Sequence, residues 1–286
     1  MKFLLEVSSF EQIKNNLDKV DGFILGCDTF TSFSAHYFTY DEIASARLVT
    51  PNIYLNLNEM LHNSQMEDFK EVIKKYSSLD VHFIVQDFGA CLLIKDICGL
   101  NKTIFNPITL ITNSEDAKVY SDIGFEAVIC SSEITCEDVV KISSKVNNVG
   151  CVGFGYHPMY QTYRHIIDLY KESNNLNFNK NENMFLREWT RDKKYHVIDN
   201  HAGSVVFRPY VINMFKEYES LNQNVEFIIV NTIFFNNDEF NVLVDTINKL
   251  QNSNISLEDV NEILENNFNI EDGFIYQDSV YNPKEF

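Results

Sequence analysis

The stretch Ala127-Val-Ile-Cys130, Ser131-Ser-Glu-Ile134, Thr135-Cys-Glu-Asp-Val-Val-Lys-Ile142 and, after a short polar turn, Val149-Gly-Cys-Val-Gly-Phe154 reads as one strand–helix–strand unit. The first and last runs are short and apolar on both faces, as strands of a buried parallel sheet are. Between them Thr135 is placed to cap a helix. Glu137 and Asp138 fall in its first turn, where the helix macrodipole favours negative charge. A parallel strand pair joined by a helix needs a crossover, so this unit points to an α/β fold.

The same pattern recurs on the N-terminal side. Candidate strands are 2–7, 22–26, 52–57, 81–86, 103–105, 127–130 and 149–154, and their starts are spaced by 20 to 30 residues over most of that length. An eighth, 225–230, comes much later. Helical patterns lie between several of them. Ser9 with Gln12 fits a capping box before a Phe10, Ile13, Leu17 stripe. Thr39 opens a second helix, and a third covers 65–76. Seven regular βα units and a late strand make eight, and right-handed crossovers let them close into a (β/α)8 TIM-barrel-like fold. An open doubly wound sheet is the alternative, but no Gly-rich nucleotide fingerprint supports it.

The rhythm breaks between residues 155 and 224. An Asn-rich loop (173–183) leads to two strands, 195–198 and 204–207, around Asp199-Asn-His-Ala-Gly203. That reads as a β-hairpin inserted between the seventh and eighth units. Insertions at the C-terminal ends of barrel strands shape active sites. The segment 251–286 is acidic, contains a helix over 257–266, and is expected to pack back on a single domain spanning 1–286.

With 286 residues, 45% of them hydrophobic, the chain has ample material for one large core. Its formal net charge of −18 repels phosphate backbones, so direct nucleic-acid contact is not expected. The richest basic patch, residues 187–194, also carries acids and reads as a solvated loop. No apolar run reaches the length of a membrane span, and the N-terminus reaches Glu6 too soon for a signal peptide. The six cysteines form no C-x-x-C pair. Together these features imply a cytoplasmic protein without structural disulfides and without membrane contact.

Motif searches return little. There is no P-loop, no H-E-x-x-H and no G-x-S-x-G, and Gly153-Phe-Gly155 runs into Pro158 where a third glycine would stand. What remains are polar residues just after strands, where barrel enzymes place their chemistry. These are Cys27, Asp28, Asn56, Asn58, Glu59, Gln86, Asp87, Asn106, Ser131, Ser132, Glu133, Gly155, Tyr156 and His157. Converging carboxylates can do acid–base work or hold a metal; equally, Asp28, Asp87 and Glu133 can cap the helices that follow. His157 and His165 flank a helix start and are readable as structural or as ligands.

Several segments together resemble peptidase family U32, the collagenase-like peptidases, in a short form. They are Asp21-Gly-Phe-Ile-Leu-Gly26, Phe83-Ile-Val-Gln-Asp-Phe-Gly89, Ala127–Ile134 and above all Val152-Gly-Phe-Gly-Tyr-His-Pro-Met-Tyr-Gln-Thr-Tyr-Arg-His165. Gly273-Phe-Ile-Tyr276 with Val280-Tyr281 is similar to a short-form ending. The resemblance implies a barrel and a protease or hydrolase acting on a peptide or protein substrate, without a settled mechanism. Combined with position after strands, it selects Glu133 as base or metal ligand, His157 as proton shuttle and Arg164 as the grip on a carboxylate or oxyanion. Glu59, Asp87, Asn58 and Tyr156 would bind substrate, and a divalent metal is possible.

Some family members hydroxylate RNA bases or quinones and hold an iron–sulfur cluster on cysteines. Here Pro158 and His165 stand where those members carry cysteine, which argues against a cluster. The departure motivates a second expectation: a non-catalytic smaller partner of a larger U32-type chain. A third is a barrel that binds a small molecule or peptide without turning it over.

Overall fold

The computed structural model describes residues 1–180, 184–189 and 192–277. The strands are β1 (Lys2–Glu6), β2 (Gly22–Cys27), β3 (Tyr37–Phe38), β4 (Ile53–Leu57), β5 (His82–Val85), β6 (Thr103–Phe105), β7 (Ala127–Ile129), β8 (Val149–Thr162), β9 (Met184–Arg187), β10 (Lys194–Asn200), β11 (Gly203–Asn213) and β12 (Phe227–Val230). The helices are α1 (Phe10–Lys14), α2 (Tyr40–Val49), α3 (Met66–Ser77), α4 (Phe88–Cys98), α5 (Ser114–Ile123), α6 (Cys136–Ser143), α7 (Ile166–Asn174), α8 (Tyr218–Asn224), α9 (Asn237–Gln251) and α10 (Leu257–Asn267).

β1, β2, β4, β5, β6, β7, β8 and β12 pair in parallel in that order, and β12 returns to β1 to close the ring. This is the expected TIM-barrel-like fold. Alternate side chains divide cleanly. Leu4, Ile24, Tyr54, Ile84, Ile104, Ile129, Phe227 and Ile229 fill the barrel, while Phe3, Leu5, Phe23, Leu55, Phe83 and Phe105 point outward to the helices. The period-2 geometry of a strand produces the two cores, and burial on both faces explains why the strands read as unbroken apolar runs.

The helix starts follow their caps. Thr39 forms a full capping box with Glu42, and Thr135 caps α6. Asp87 caps α4. Three expectations need correction. α1 ends at Lys14, so Leu17 falls outside it and is exposed, and Gln12 reaches back to the Ser8 N–H rather than that of Ser9. Asp28 caps no helix; its N–H pairs with the Phe38 carbonyl, which extends β2 toward β3. The seventh strand does not stop at Phe154. It runs on to Thr162, so His157 lies inside a strand and not beside a helix start, while His165 holds the N-terminal position of α7 without a side-chain cap bond.

The cause of that extension is β11, which pairs antiparallel with the outer half of β8 and with β10. Gly155 makes the departure from the barrel possible. Its φ is +122°, and a Cβ there would lie 2.1 Å from the Asn231 carbonyl oxygen. β11 carries two extra residues between Phe207 and Val211, opposite Pro158 and Tyr156, in a bulge that contains Pro209. The inserted hairpin is thus a four-stranded arm that leans over the C-terminal end of the barrel. Beyond α10 the chain returns to the body: the Cys136 N–H donates to the Ile275 carbonyl, and Ile275 is buried. Val280 and Tyr281, read above as part of a family-like ending, lie outside the described residues. Among the described residues no helix is long and apolar enough to cross a membrane.

Candidate functional site at the barrel mouth

Five of the eight barrel strands end, at the C-terminal edge, on or beside a polar residue that lines one cavity. Glu6 closes β1, Asn56 is in β4, Gln86 follows β5, Asn106 follows β6 and Asn231 follows β12. With Asn58, Ser132 and His157 they ring a cavity whose floor is Ile24, Ile84, Val152 and Ile229 and whose roof includes Phe33, Ile108 and Pro158. Its interior volume is about 60 Å³, room for a small group; the solvent-open space around it brings the total to about 660 Å³.

Most of the ring is tied down. Glu6 accepts from Ser34 Oγ at 2.7 Å and from the backbone N–H groups of Ala35 and Thr232, both at 3.1 Å. Burial pushes its carboxyl up, against the pull of those bonds. Asn58 Oδ1 accepts from the Ser32 N–H at 2.8 Å and its Nδ2 donates to the Phe33 carbonyl at 2.9 Å. Asn231 Nδ2 donates to the Tyr156 carbonyl at 3.0 Å.

Three members are different. Among the described residues Gln86 Oε1, Ser132 Oγ and both ring nitrogens of His157 are buried with no hydrogen-bond partner. His157 is 2% exposed. Burial, reinforced by the Arg208 guanidinium, drives its pKa down to about 3, so the ring is neutral and offers one donor and one acceptor. Unpartnered buried polar atoms cost about 1–3 kcal/mol each, which makes their clustering in one cavity a mark of a site rather than of a core.

The arm closes over this cavity. Asn200 Nδ2 donates to the Ser32 carbonyl at 2.8 Å. His201 Nε2 meets the buried Glu59 at 3.2 Å, and Gln65 Nε2 donates to the same carboxylate at 2.6 Å. Burial opposes ionisation of Glu59, but these bonds outweigh it and hold the carboxyl below its ordinary range; His201 is raised in turn. The His62 ring lies tilted against that of Tyr163, 4.1 Å between centroids.

The residues expected from sequence are dispersed over this frame. His157 and Asn58 line the cavity. Glu133 does not. It is half exposed beside the α6 cap and faces Arg208 at 4.0 Å. Arg164 is exposed at the root of α7. Glu59 serves the latch to His201. Asp87 accepts from the Ala90 and Leu61 N–H groups. Tyr156 packs its ring against His196, Phe234 and Phe235. Glu133, His157 and Arg164 therefore form no hydrogen-bonded constellation. Glu6, Asn231, Gln161 and His201 were not singled out. The first two end barrel strands, so the strand-end reasoning applied to the first and eighth strands reaches them; the other two depend on how the arm folds back.

His165, Asp168 and Asp199 form a group whose ligand atoms lie within 4.8 Å of one another. The Lys180 ammonium already sits there, 2.5 Å from Asp168 and 3.0 Å from Asp199, and offsets part of their charge. Asp199 also accepts from the Ile167 N–H and from Ser204 Oγ. All six cysteines are free, and none lines the mouth. Burial pushes Cys130 and Cys136 up to about 12, away from the thiolate form that metal clusters require.

Comparison with known proteins gives two results. Residues 29–161 match the model for peptidase family U32. The solved structure of the U32 peptidase Mk0906 superposes with a TM-score of 0.51 at 11% sequence identity, covering 80% of this chain and 92% of that one. At that identity the likeness speaks for the fold. No curated protein matches the sequence.

Proposed function

We propose that this chain, which belongs with peptidase family U32 through residues 29–161, works at the mouth of its barrel on peptide-type amide substrates. The observation that carries this reading is the cluster of buried, unpartnered hydrogen-bonding atoms on Gln86, Ser132 and His157 around one cavity. A polar substrate supplies the missing partners, and the apolar floor takes its side chain.

In the hydrolytic form of this proposal the amide lies against His157 and Ser132. His157 takes the proton of the attacking hydroxyl or water and returns it to the leaving amine. Glu133 and Arg164, outside the cavity, then act at most on the ends of a longer substrate. A second reading, binding without turnover, has one observation in its favour. Burial holds His157 near 3, which makes it a weak base, and no described acid orients its ring. The larger U32-type partner suggested by the missing cysteines belongs to this second reading.

Gelatin and casein incubated with the purified chain, with and without chelator, separate the two. The hydrolytic reading expects cleavage that Ser132→Ala and His157→Leu each abolish. Cleavage that survives both substitutions removes the mouth from the chemistry. Binding of gelatin peptides without cleavage, lost in the same variants, selects the second reading.

A further inference from the structure

The unmet hydrogen-bonding atoms of the mouth specify more than its location. Resting on the reading of the mouth as the working site, we infer that it recognises an uncharged group carrying both a donor and an acceptor, of the primary-carboxamide class, in preference to a carboxylate or an ammonium.

The first argument is a hydrogen-bond relay that fixes one amide. Ser32 Oγ donates to the Asn58 carbonyl at 3.2 Å, so its lone pairs remain to accept. Gln161 Nε2, from the arm, donates to Ser32 Oγ at 3.4 Å. That orients Gln161 so that its Oε1 accepts from Gln86 Nε2 at 2.9 Å. Gln86 is thereby held with its Nε2 engaged and its Oε1 unpartnered, and Gln86 lines the cavity. Gln86 Oε1 therefore asks the ligand for a hydrogen-bond donor. A carboxylate has none to give.

His157 supplies the complementary demand. As a neutral imidazole it presents one N–H and one bare nitrogen, both buried and both without partners. A primary carboxamide meets it with an N–H and a carbonyl oxygen together. Ser132 Oγ can give or accept the remaining bond.

Charge is the second argument. Among the described residues no Lys or Arg lines the cavity, and its one carboxylate, Glu6, has its oxygens engaged by Ser34, Ala35 and Thr232. Arg208 stands behind the lining: it stacks on Phe274 at 4.6 Å, donates to Tyr210 Oη at 3.3 Å and faces Glu133, while its Nε is buried without a partner. An ion entering the mouth would shed water and find no counter-charge in direct contact, a loss that an uncharged amide avoids.

Gln161 is then a positioning residue. It touches no ligand but decides which end of Gln86 does.

The test uses three probes of nearly equal size, propionamide, propionate and propylammonium, titrated onto the full chain at neutral pH. The histidine ring resonances of His157 are followed by NMR. Propionamide is expected to shift them saturably and to bind at least about tenfold tighter than either ion, the effect of roughly one well-made hydrogen bond. Gln86→Leu should lose about tenfold in propionamide affinity. Gln161→Leu should narrow the gap between propionamide and propionate while leaving the fold intact by circular dichroism. A charged probe that binds as tightly as the amide, or no saturable binding by any probe, overturns the assignment of ligand class. Propionamide binding that is unchanged in both Gln86→Leu and His157→Leu, followed in these variants by the backbone amide resonances, instead places the ligand elsewhere, and the reading of the mouth as the working site falls with it.

Discussion

The two ends of the barrel are both polar, yet they are built on opposite rules. At the N-terminal end Tyr54, His82 and Glu126 close the floor. Glu126 meets His82 Nδ1 at 2.7 Å and accepts from Tyr54 Oη at 3.3 Å, and the two rings lie 4.5 Å apart. Gly22 makes room for this lid: a Cβ there would stand 2.7 Å from the Tyr54 ring. At the C-terminal end Gln86, Ser132 and His157 face a cavity with bonds unmade. A polar cluster that is internally satisfied holds the barrel together. One that is not spends stability to keep bonding capacity for something else. The His165, Asp168, Asp199, Lys180 group on the arm belongs with the floor by this criterion, since its members are partnered with one another.

The contrast has consequences of graded size. The largest is expected at the floor. Glu126→Ala leaves His82 Nδ1 and Tyr54 Oη unpaired in a mostly buried place, and urea unfolding should report a loss of about 2 kcal/mol or more. The mirror substitution at the mouth, His157→Leu, removes two atoms that already lack partners. It should leave stability within about 1 kcal/mol of wild type at pH 7 or raise it. A loss as large as that of Glu126→Ala would make His157 a structural residue and erase the distinction.

The pH dependence sharpens the same comparison. The folded-state pKa of His157 is depressed to about 3, below the ordinary value of 6.5. The unfolded chain therefore binds the proton first, and stability falls as pH drops below about 6.5. The folded form itself takes up the proton only near 3. Relative to His157→Leu, wild type should lose up to about 1.4 kcal/mol per pH unit in that window, measurable from paired urea curves.

The smallest effect is at the latch. Glu59 is held below its ordinary 4.5 and His201 above its ordinary 6.5. The Glu59 contribution is present above about 4.5 and lost as pH falls through its folded value. That of His201 is present below about 6.5 and lost as pH rises through its folded value. The latch is therefore tightest between those values. His201 is half exposed, so the effect is local. Corrected for the base-catalysed rise in intrinsic exchange, amide protection at the β10–β11 turn should fall above neutral pH, and His201→Gln should flatten that response.

Much of this was legible in the sequence. Strands such as Thr103–Phe105 and the caps at Thr39, Asp87 and Thr135 announce themselves, because burial on both faces and side-chain capping are local rules. The rim position of His157, Asn58 and Gln86 follows from strand ends. The continuation of β8 past Phe154 was not legible, since it depends on pairing with β11 some fifty residues away. The arm's reach to Ser32 and Glu59 rests on equally distant contacts. Strand-end position and the family resemblance drew attention to Glu133 and Arg164, whereas the unpartnered atoms of the mouth sit on an amide, a hydroxyl and a neutral imidazole. Which polar atoms lack partners is a property of the assembled ring, and no local pattern encodes it.

The most direct test of the account sets stability and binding side by side in one variant. Gelatin-peptide binding and urea unfolding are measured on wild type and His157→Leu at pH 7. The account predicts a variant at least as stable as wild type, to within about 1 kcal/mol, that no longer binds. A variant that is strongly destabilised, or one that binds as wild type does, would contradict it.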